Sequence, residues 1–231
     1  MKRLVVSVVG VVAMLAVLAF CSVSHAATIG NAADVTLTGG VKYNVSDGSQ
    51  WWVTYTGIDL TNLVANPTKK ALNLVTGDNS SGSGWENFPI QIHKDLNGAG
   101  GHLLQAYDMW WIGGPKSSHG FNVGDVTGAF DIRFGLKQNL NDTWVVTPQY
   151  CVPIGSGPIG DGSWHTFYDG AFTSASAFDL TVLQAWARVD PASAGTAEIS
   201  GATVIPEPAT MGLLALGGVG MLLRRRRTAR E

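Results

Sequence analysis

Short segments rich in β-branched and aromatic residues recur throughout residues 34–204, separated by glycine, asparagine, aspartate, serine and proline. This pattern predicts strands joined by turns. In Phe130–Leu136 the apolar residues alternate with the charged Asp131 and Arg133. Such alternation is typical of a strand with one face towards a core and one towards solvent.

Ten segments of this kind are predicted as strands. They are Asp34–Thr38, Trp51–Thr56, Ala71–Thr76, Pro89–His93, Leu103–Ile112, Ala129–Leu136, Thr143–Thr147, Trp164–Tyr168, Leu180–Val189 and Ala197–Val204. No long amphipathic helix interrupts them, so we predict an all-β fold, a two-sheet β-sandwich of jelly-roll-like type. Residues 162–172 and 178–204 resemble the closing half of a jelly-roll carbohydrate-binding module, which implies a similar fold.

The amino terminus has the three zones of a secretory signal. Lys2 and Arg3 precede an apolar run from Leu4 to Phe20, and a polar stretch of small residues then ends at Ala26. We therefore predict a signal helix in a signal peptide of residues 1–26, engagement by the general secretion machinery, and cleavage by signal peptidase between Ala26 and Ala27. A transmembrane anchor is the alternative.

Only one of the two cysteines is expected to remain in the mature protein. A lipoprotein interpretation centred on Cys21 conflicts with the bulky Phe20 before it. Cleavage after Ala26 removes Cys21 and leaves Cys151 as the single cysteine, so no intrachain disulfide is expected. Cys151 lies in an apolar stretch, which favours a small buried side chain over a reactive thiol.

The carboxy-terminal residues 204–231 form a distinct segment, and we predict that the sandwich domain occupies residues 27–203. Pro206, Glu207 and Pro208 precede an apolar run, Ala209–Leu223, which would form a helix of roughly 22 Å, shorter than the ~30 Å hydrocarbon core. We predict a short transmembrane helix there. The run is followed by four arginines that favour the cytoplasmic side, namely Arg224, Arg225, Arg226 and Arg227.

This arrangement resembles the PEP-CTERM sorting signal, in which a Pro-Glu-Pro motif, a short transmembrane helix and an arginine-rich end are recognised by an exosortase. The resemblance implies that an exosortase-type membrane enzyme is a partner. It also implies membrane anchoring through the helix, followed by placement at the cell surface or in the extracellular matrix of a bacterium. An ordinary tail anchor is the alternative.

The charge and the titratable residues exclude several function classes. Residues 27–205 hold eight Lys and Arg against fifteen Asp and Glu, a formal net charge of −7, so no nucleic-acid partner is expected. The histidines have neither close pairing nor a cysteine pair beside them, and we predict no metal site and no cofactor. Asp95 begins a segment that could form a calcium-binding turn, although an Asn-Gly turn is the simpler interpretation.

Two Trp-Trp pairs, Trp51-Trp52 and Trp110-Trp111, are the candidate ligand-binding residues. Neighbours on a strand point to opposite faces, so one tryptophan of each pair should leave the core and offer an aromatic surface for sugar rings. We therefore predict a non-catalytic polysaccharide-binding module, because no strand carries the carboxylate pair of a glycosidase. The alternatives are a structural component of the envelope or biofilm matrix and a polysaccharide-degrading enzyme.

Overall fold

Strands that alternate between inward and outward side chains form the fold. The computed structural model describes residues 26–30, 35–38, 41–42, 50–64, 70–77, 87–94, 102–107, 117–119, 128–157, 159–167, 170–174, 182–191 and 193–206. Its strands are β1 Ala27–Ile29, β2 Val35–Thr36, β3 Val41–Lys42, β4 Trp51–Asp59, β5 Leu63–Val64, β6 Lys70–Gly77, β7 Asn87–Lys94, β8 His102–Tyr107, β9 Ser117–His119, β10 Phe130–Gln138, β11 Trp144–Cys151, β12 Trp164–Thr166, β13 Phe172–Thr173, β14 Val182–Val189, β15 Ala194–Gly195 and β16 Ala197–Pro206.

The described strands form two large sheets. Sheet A has the order β1-β16-β4-β10-β11-β12, with β13 also paired to β11. Sheet B has the order β2-β14-β6-β7-β8-β9, with β3 also paired to β14, and β5 and β15 form a small separate ribbon. Pairing is antiparallel throughout these strands. The first strand and the last strand are neighbours, so the two ends of the described chain close one sheet together.

The core fills the space between the two sheets. Alternate residues of β4, β10, β11 and β16 meet those of β6, β7 and β14, and burying this apolar surface is the main stabilising term of the fold. The inward-facing residues at 1% relative exposure or less include Val53, Tyr55, Leu72, Leu74, Phe88, Ile90, Ile92, Phe130, Ile132, Phe134, Leu136, Trp144, Val146, Leu183, Val189, Ile199 and Val204.

Tyr55 provides a polar link across this core. Its hydroxyl, carried by sheet A, donates to the Val75 carbonyl and lies 3.2 Å from Oγ1 of Thr76, both in sheet B. Burial raises the pKa of the Tyr55 hydroxyl, so it stays neutral. Because the partner groups of a buried hydroxyl must be hydrogen-bonded, this link fixes which part of sheet B faces β4.

The sandwich predicted from the sequence is confirmed. All regular secondary structure in the described part of the chain is β-strand, and the sheets pack face to face. The short strands β1, β3, β5, β9, β13 and β15 escaped prediction because two or three residues are too few to show alternation. The predicted signal helix and transmembrane helix lie outside the described residues, and among the described residues no helix is long and apolar enough to span a membrane.

A β-bulge at Gly57 interrupts the pairing of β4 with β10. The register shifts between Phe130 and Ile132, and Gly57 has a φ of 62°. A Cβ built on Gly57 would lie 2.2 Å from Oγ of Ser200. Glycine is therefore required here both by its backbone conformation and by the close approach of β16.

We expect Gly57→Ala to lower the free energy of unfolding by about 1–3 kcal/mol, because alanine is strained at a positive φ and would collide with Ser200. Chemical denaturation measures this difference. Gly30→Ala is the matched control, since a Cβ there meets nothing within 4 Å. A Gly57→Ala protein as stable as the Gly30→Ala protein would contradict the bulge.

Candidate functional site

The structure separates the first predicted tryptophan pair. Trp51 points into the core with 7% relative exposure, whereas Trp52 is half-buried on the outer face of sheet A. The second pair, Trp110 and Trp111, lies outside the described residues. One candidate platform residue is thus located on an outer sheet face.

The sequence-predicted processing residues lie at or beyond the edges of the described chain. Ala26 is exposed, and Ala27 begins β1. Pro206 ends β16. The other residues of the sorting signal lie outside the described residues, namely Glu207, Pro208, Arg224, Arg225, Arg226 and Arg227.

Strand register gathers a group of side chains around Trp52 on the outer face of sheet A. Arg133 pairs with Gln149, and Asp131 pairs with Cys151, which in turn pairs with Trp164. Directly paired residues share a face, and so do residues two apart on a strand. We call the group formed by Trp52, Asp131, Arg133, Gln149 and Trp164 the Arg133 platform.

Arg133 occupies the centre of the platform, between two indoles. Its guanidinium carbon lies 4.1 Å from the ring centroid of Trp52 and 4.1 Å from that of Trp164. Trp52 comes from β4 on one side of Arg133, and Trp164 comes from β12 on the other side. Contacts at this distance over an aromatic face are attractive cation–π interactions, worth about 0.5–1 kcal/mol each when partly exposed.

A hydrogen bond fixes the rotation of the guanidinium between the rings. Arg133 Nε donates to Oε1 of Gln149 over 2.7 Å. Burial lowers the pKa of Arg133 from its ordinary value, which still leaves the side chain charged at neutral pH. The side chain is thus a preorganised cation with a defined plane.

Gly135 explains how Trp52 reaches this position. Gly135 pairs with Trp52, and a Cβ built on it would lie 2.4 Å from Nε2 of Gln50 and 2.8 Å from Cη2 and 2.9 Å from Cζ3 of the indole. Because glycine has no Cβ, the Trp52 ring can pack directly over the backbone of Gly135. Because β10 is extended at this point, the glycine serves close packing and not a special backbone conformation.

Asp131 is the acidic member of the platform. Its Oδ1 accepts a hydrogen bond from the backbone N–H of Gly57 over 2.7 Å, so the β-bulge positions the carboxylate. Burial raises the pKa of Asp131, and the Gly57 hydrogen bond opposes that shift. This carboxylate already has a partner within the fold.

Cys151 lies beneath the platform. The thiol is free and buried, as the sequence predicted, but it sits on the outer side of sheet A and not in the core between the sheets. Burial raises the pKa of Cys151, and the charges of Asp131 and Asp161 raise it further. A thiol of this kind remains protonated and is a poor nucleophile.

Two further polar clusters lie away from the platform. His165 Nε2 is 3.1 Å from Oδ2 of Asp161, and the imidazole stacks on Tyr150 with centroids 5.5 Å apart. Asp59 and Glu198 are directly opposite each other on β4 and β16, an arrangement that inspection of single strands did not predict. Within the described residues, no group of three or more His, Cys, Asp or Glu side chains could hold a metal ion.

The carboxylates of the second cluster are both hydrogen-bonded. Glu198 Oε2 accepts from the Thr28 hydroxyl over 2.8 Å. Asp59 Oδ1 accepts from both the N–H and the hydroxyl of Thr61, over 2.8 and 2.6 Å. These bonds close the turn after β4 and tie β1 to β16, which is a structural role.

Comparison with known proteins identifies the carboxy-terminal segment. Residues 204–227 match the PEP-CTERM protein-sorting motif, so the predicted sorting signal is confirmed. The motif implies export, recognition by an exosortase and a carboxy-terminal membrane anchor before processing. No curated protein matches the chain in sequence.

Several solved structures are similar to this chain. An engineered GH43 glycoside hydrolase with endo-xylanase and exo-arabinofuranosidase activity is 11% identical, with a TM-score of 0.45 over 78% of this chain and 34% of the hydrolase. The carbohydrate recognition domain of Emp47p is 10% identical, with a TM-score of 0.41 over 81% and 95% of the two chains. An alginate lyase of Pseudomonas aeruginosa is 14% identical, with a TM-score of 0.39 over 76% and 74%. The chain spans about a third of the length of the GH43 hydrolase.

Proposed function

We propose that this exosortase-sorted, exported protein is a non-catalytic polysaccharide-binding module of the cell surface or extracellular matrix, released from a cleaved signal peptide. The Arg133 platform is the proposed binding surface. The observation that carries the proposal is the pair of half-buried indoles, Trp52 and Trp164, held on one outer sheet face by a shared cation.

Rigid indoles on a sheet are suited to sugar rings. The apolar faces of a sugar stack on aromatic surfaces, while amide, hydroxyl and charged groups beside them bind the hydroxyls. Gln149 and Thr54 lie in the same register row as Arg133 and supply such polar groups. Because Arg133 and Gly135 already fix the indoles, little side-chain entropy is lost on binding.

The non-catalytic part of the proposal rests on the chemistry of the platform. Its carboxylate, Asp131, has no second described carboxylate paired with it across β4 or β11, where Gly57 and Cys151 are its partners. Glycoside hydrolysis normally requires two carboxyl groups that flank the scissile bond. The protonated Cys151 thiol offers no nucleophile in their place.

The size of the effect follows from the area involved. Stacking one sugar ring on an indole removes roughly 100 Å² of apolar surface from water, which is about 2.5 kcal/mol at ~25 cal/mol/Å² before ordering costs. Two such contacts give an affinity in the micromolar to millimolar range.

Affinity electrophoresis of the purified protein through gels containing neutral and acidic polysaccharides tests this function. We expect Trp52→Ala and Trp164→Ala each to weaken binding at least about tenfold while the melting temperature stays within a few degrees. Val145→Ala is the control, because Val145 is half-buried on the same face of β11 and outside the platform.

Two results would overturn the proposal in different ways. A wild-type protein retarded by none of the polysaccharides would favour a structural role in the envelope or matrix. Release of new reducing or unsaturated ends from a bound polysaccharide would show a degrading enzyme.

A further inference from the structure

We propose that the Arg133 platform selects acidic polysaccharides, with the guanidinium of Arg133 binding the carboxylate of a uronic acid unit. This inference rests on the proposed function and names its ligand class. It follows from the way the fold uses some donors of Arg133 and leaves the others unused.

Arg133 is a cation without a counter-ion in the described part of the chain. No described carboxylate lies within ion-pair distance of it, and the acid on the same face of its own strand, Asp131, accepts from the backbone of Gly57. The opposing residues on the neighbouring strands are Thr54 and Gln149, both uncharged. Partial burial of an unpaired charge is unfavourable, and an anion supplied by a ligand would offset that cost.

The unused donors point to a planar anion. The guanidinium carbon lies 4.1 Å from each of two indole centroids, and Nε is bonded to Gln149. The two terminal nitrogens have no hydrogen-bond partner among the described residues, which leaves one edge of the fork available. Two parallel N–H···O bonds from such an edge match a carboxylate, and a lysine could not reproduce them.

The flanking rings fit the rest of the same ligand. The carboxylate of a uronic acid is bonded directly to a carbon of the pyranose ring. A carboxylate bound to Arg133 therefore brings the sugar ring beside Trp52 or Trp164. The overall acidity of residues 27–205, at a formal charge of −7, opposes unspecific adsorption of polyanions. Binding of an acidic polymer therefore requires a local cation, and Arg133 supplies one on the platform.

The test uses matched polymers that differ only in charge. Polygalacturonate and hyaluronan are compared with their methyl esters, which keep the sugar rings and remove the carboxylate charge. We expect the wild-type protein to bind at least one acid form about tenfold more tightly than its ester, since a bidentate charged pair is worth about that factor. Arg133→Gln should bind acid and ester equally weakly.

A control on the same strand separates recognition from general charge. Lys137→Gln removes one positive charge from the same outer face of β10, four residues from Arg133, where Lys137 is exposed. This variant should keep the preference for the acid form. Gly135→Ala should displace the Trp52 ring and the Gln50 amide without changing charge, and should weaken binding of acid and ester alike. If Arg133→Gln does not fold, Arg133→Lys replaces it and should lose most of the preference.

The possible results distinguish failure of the acidic-sugar inference from failure of the proposed function. Equal binding of acids and esters by the wild-type protein overturns the acidic-sugar inference and leaves polysaccharide binding intact. An equal loss in Lys137→Gln and Arg133→Gln also overturns it, because bulk charge would then explain the preference. If neither form of either polymer binds and neutral polysaccharides also fail to bind, the proposed function itself is wrong.

Discussion

Trp144→Ala is expected to lower the free energy of unfolding by about 3–5 kcal/mol, the largest effect of a single substitution that we foresee. Trp144 has 0% relative exposure, and its indole packs against Phe88 of sheet B with centroids 5.6 Å apart and an interplanar angle of 62°. Removing the ring opens a cavity where the two sheets meet, because a close-packed core collapses only partly around a deletion.

Urea denaturation of the wild-type and variant proteins measures this loss. The neighbouring residue gives the control, since Val145 is half-buried on the outer face of the same strand and Val145→Ala should cost less than about 1 kcal/mol. Similar losses for the two variants would show that Trp144 does not bridge the sheets.

The sequence predicts the fold class well because alternation is a local property. Phe130 and Phe134 alternate with Asp131 and Arg133, and the structure places the first two in the core and the last two on the outer face. The same reasoning separates Trp51 from Trp52 without any knowledge of their neighbours. Because side chains of a strand alternate with a period of two residues, the sequence alone assigns each residue to one of the two faces.

The candidate site was only partly predictable, because it depends on contacts between distant segments. Trp164 approaches Arg133 only because β12 pairs with β11, and twelve residues of sequence separate the paired Cys151 and Trp164. The indole of Trp52 needs Gly135, which in sequence looks like an interruption of β10. The outward position of Arg133 was readable, but its two aromatic neighbours required the register of four strands.

The sorting motif and the sandwich overlap, so truncation within the overlap should have a large effect on stability. The motif begins at Val204, yet β16 continues to Pro206 and stays paired with β4 to its end. Val204 has 0% relative exposure and pairs with Val53, while Ile205 pairs with Trp52. The first residues of the sorting motif are therefore also part of the folded domain.

We expect a chain that ends at Thr203 to lose about 3 kcal/mol of stability relative to one that ends at Pro206, because burial of Val204 and the last pairings of β16 with β4 disappear. For a domain of this size the melting temperature should fall by roughly 6–12 °C. Calorimetry of the two truncated proteins measures the difference, and both lack the predicted transmembrane helix, so solubility does not bias the comparison.

The pairing of β16 with β4 limits where an exosortase can cut without damaging the folded domain, and the same experiment tests this limit. A cut before Val204 would remove a core residue and the strand segment beside Trp52, whereas a cut after Pro206 would leave all sixteen described strands intact. We therefore expect the stable processed product to retain Pro206. Identical melting temperatures for the two truncations would show that Val204–Pro206 lies outside the cooperative unit, and the fold would then place no restriction on the processing site.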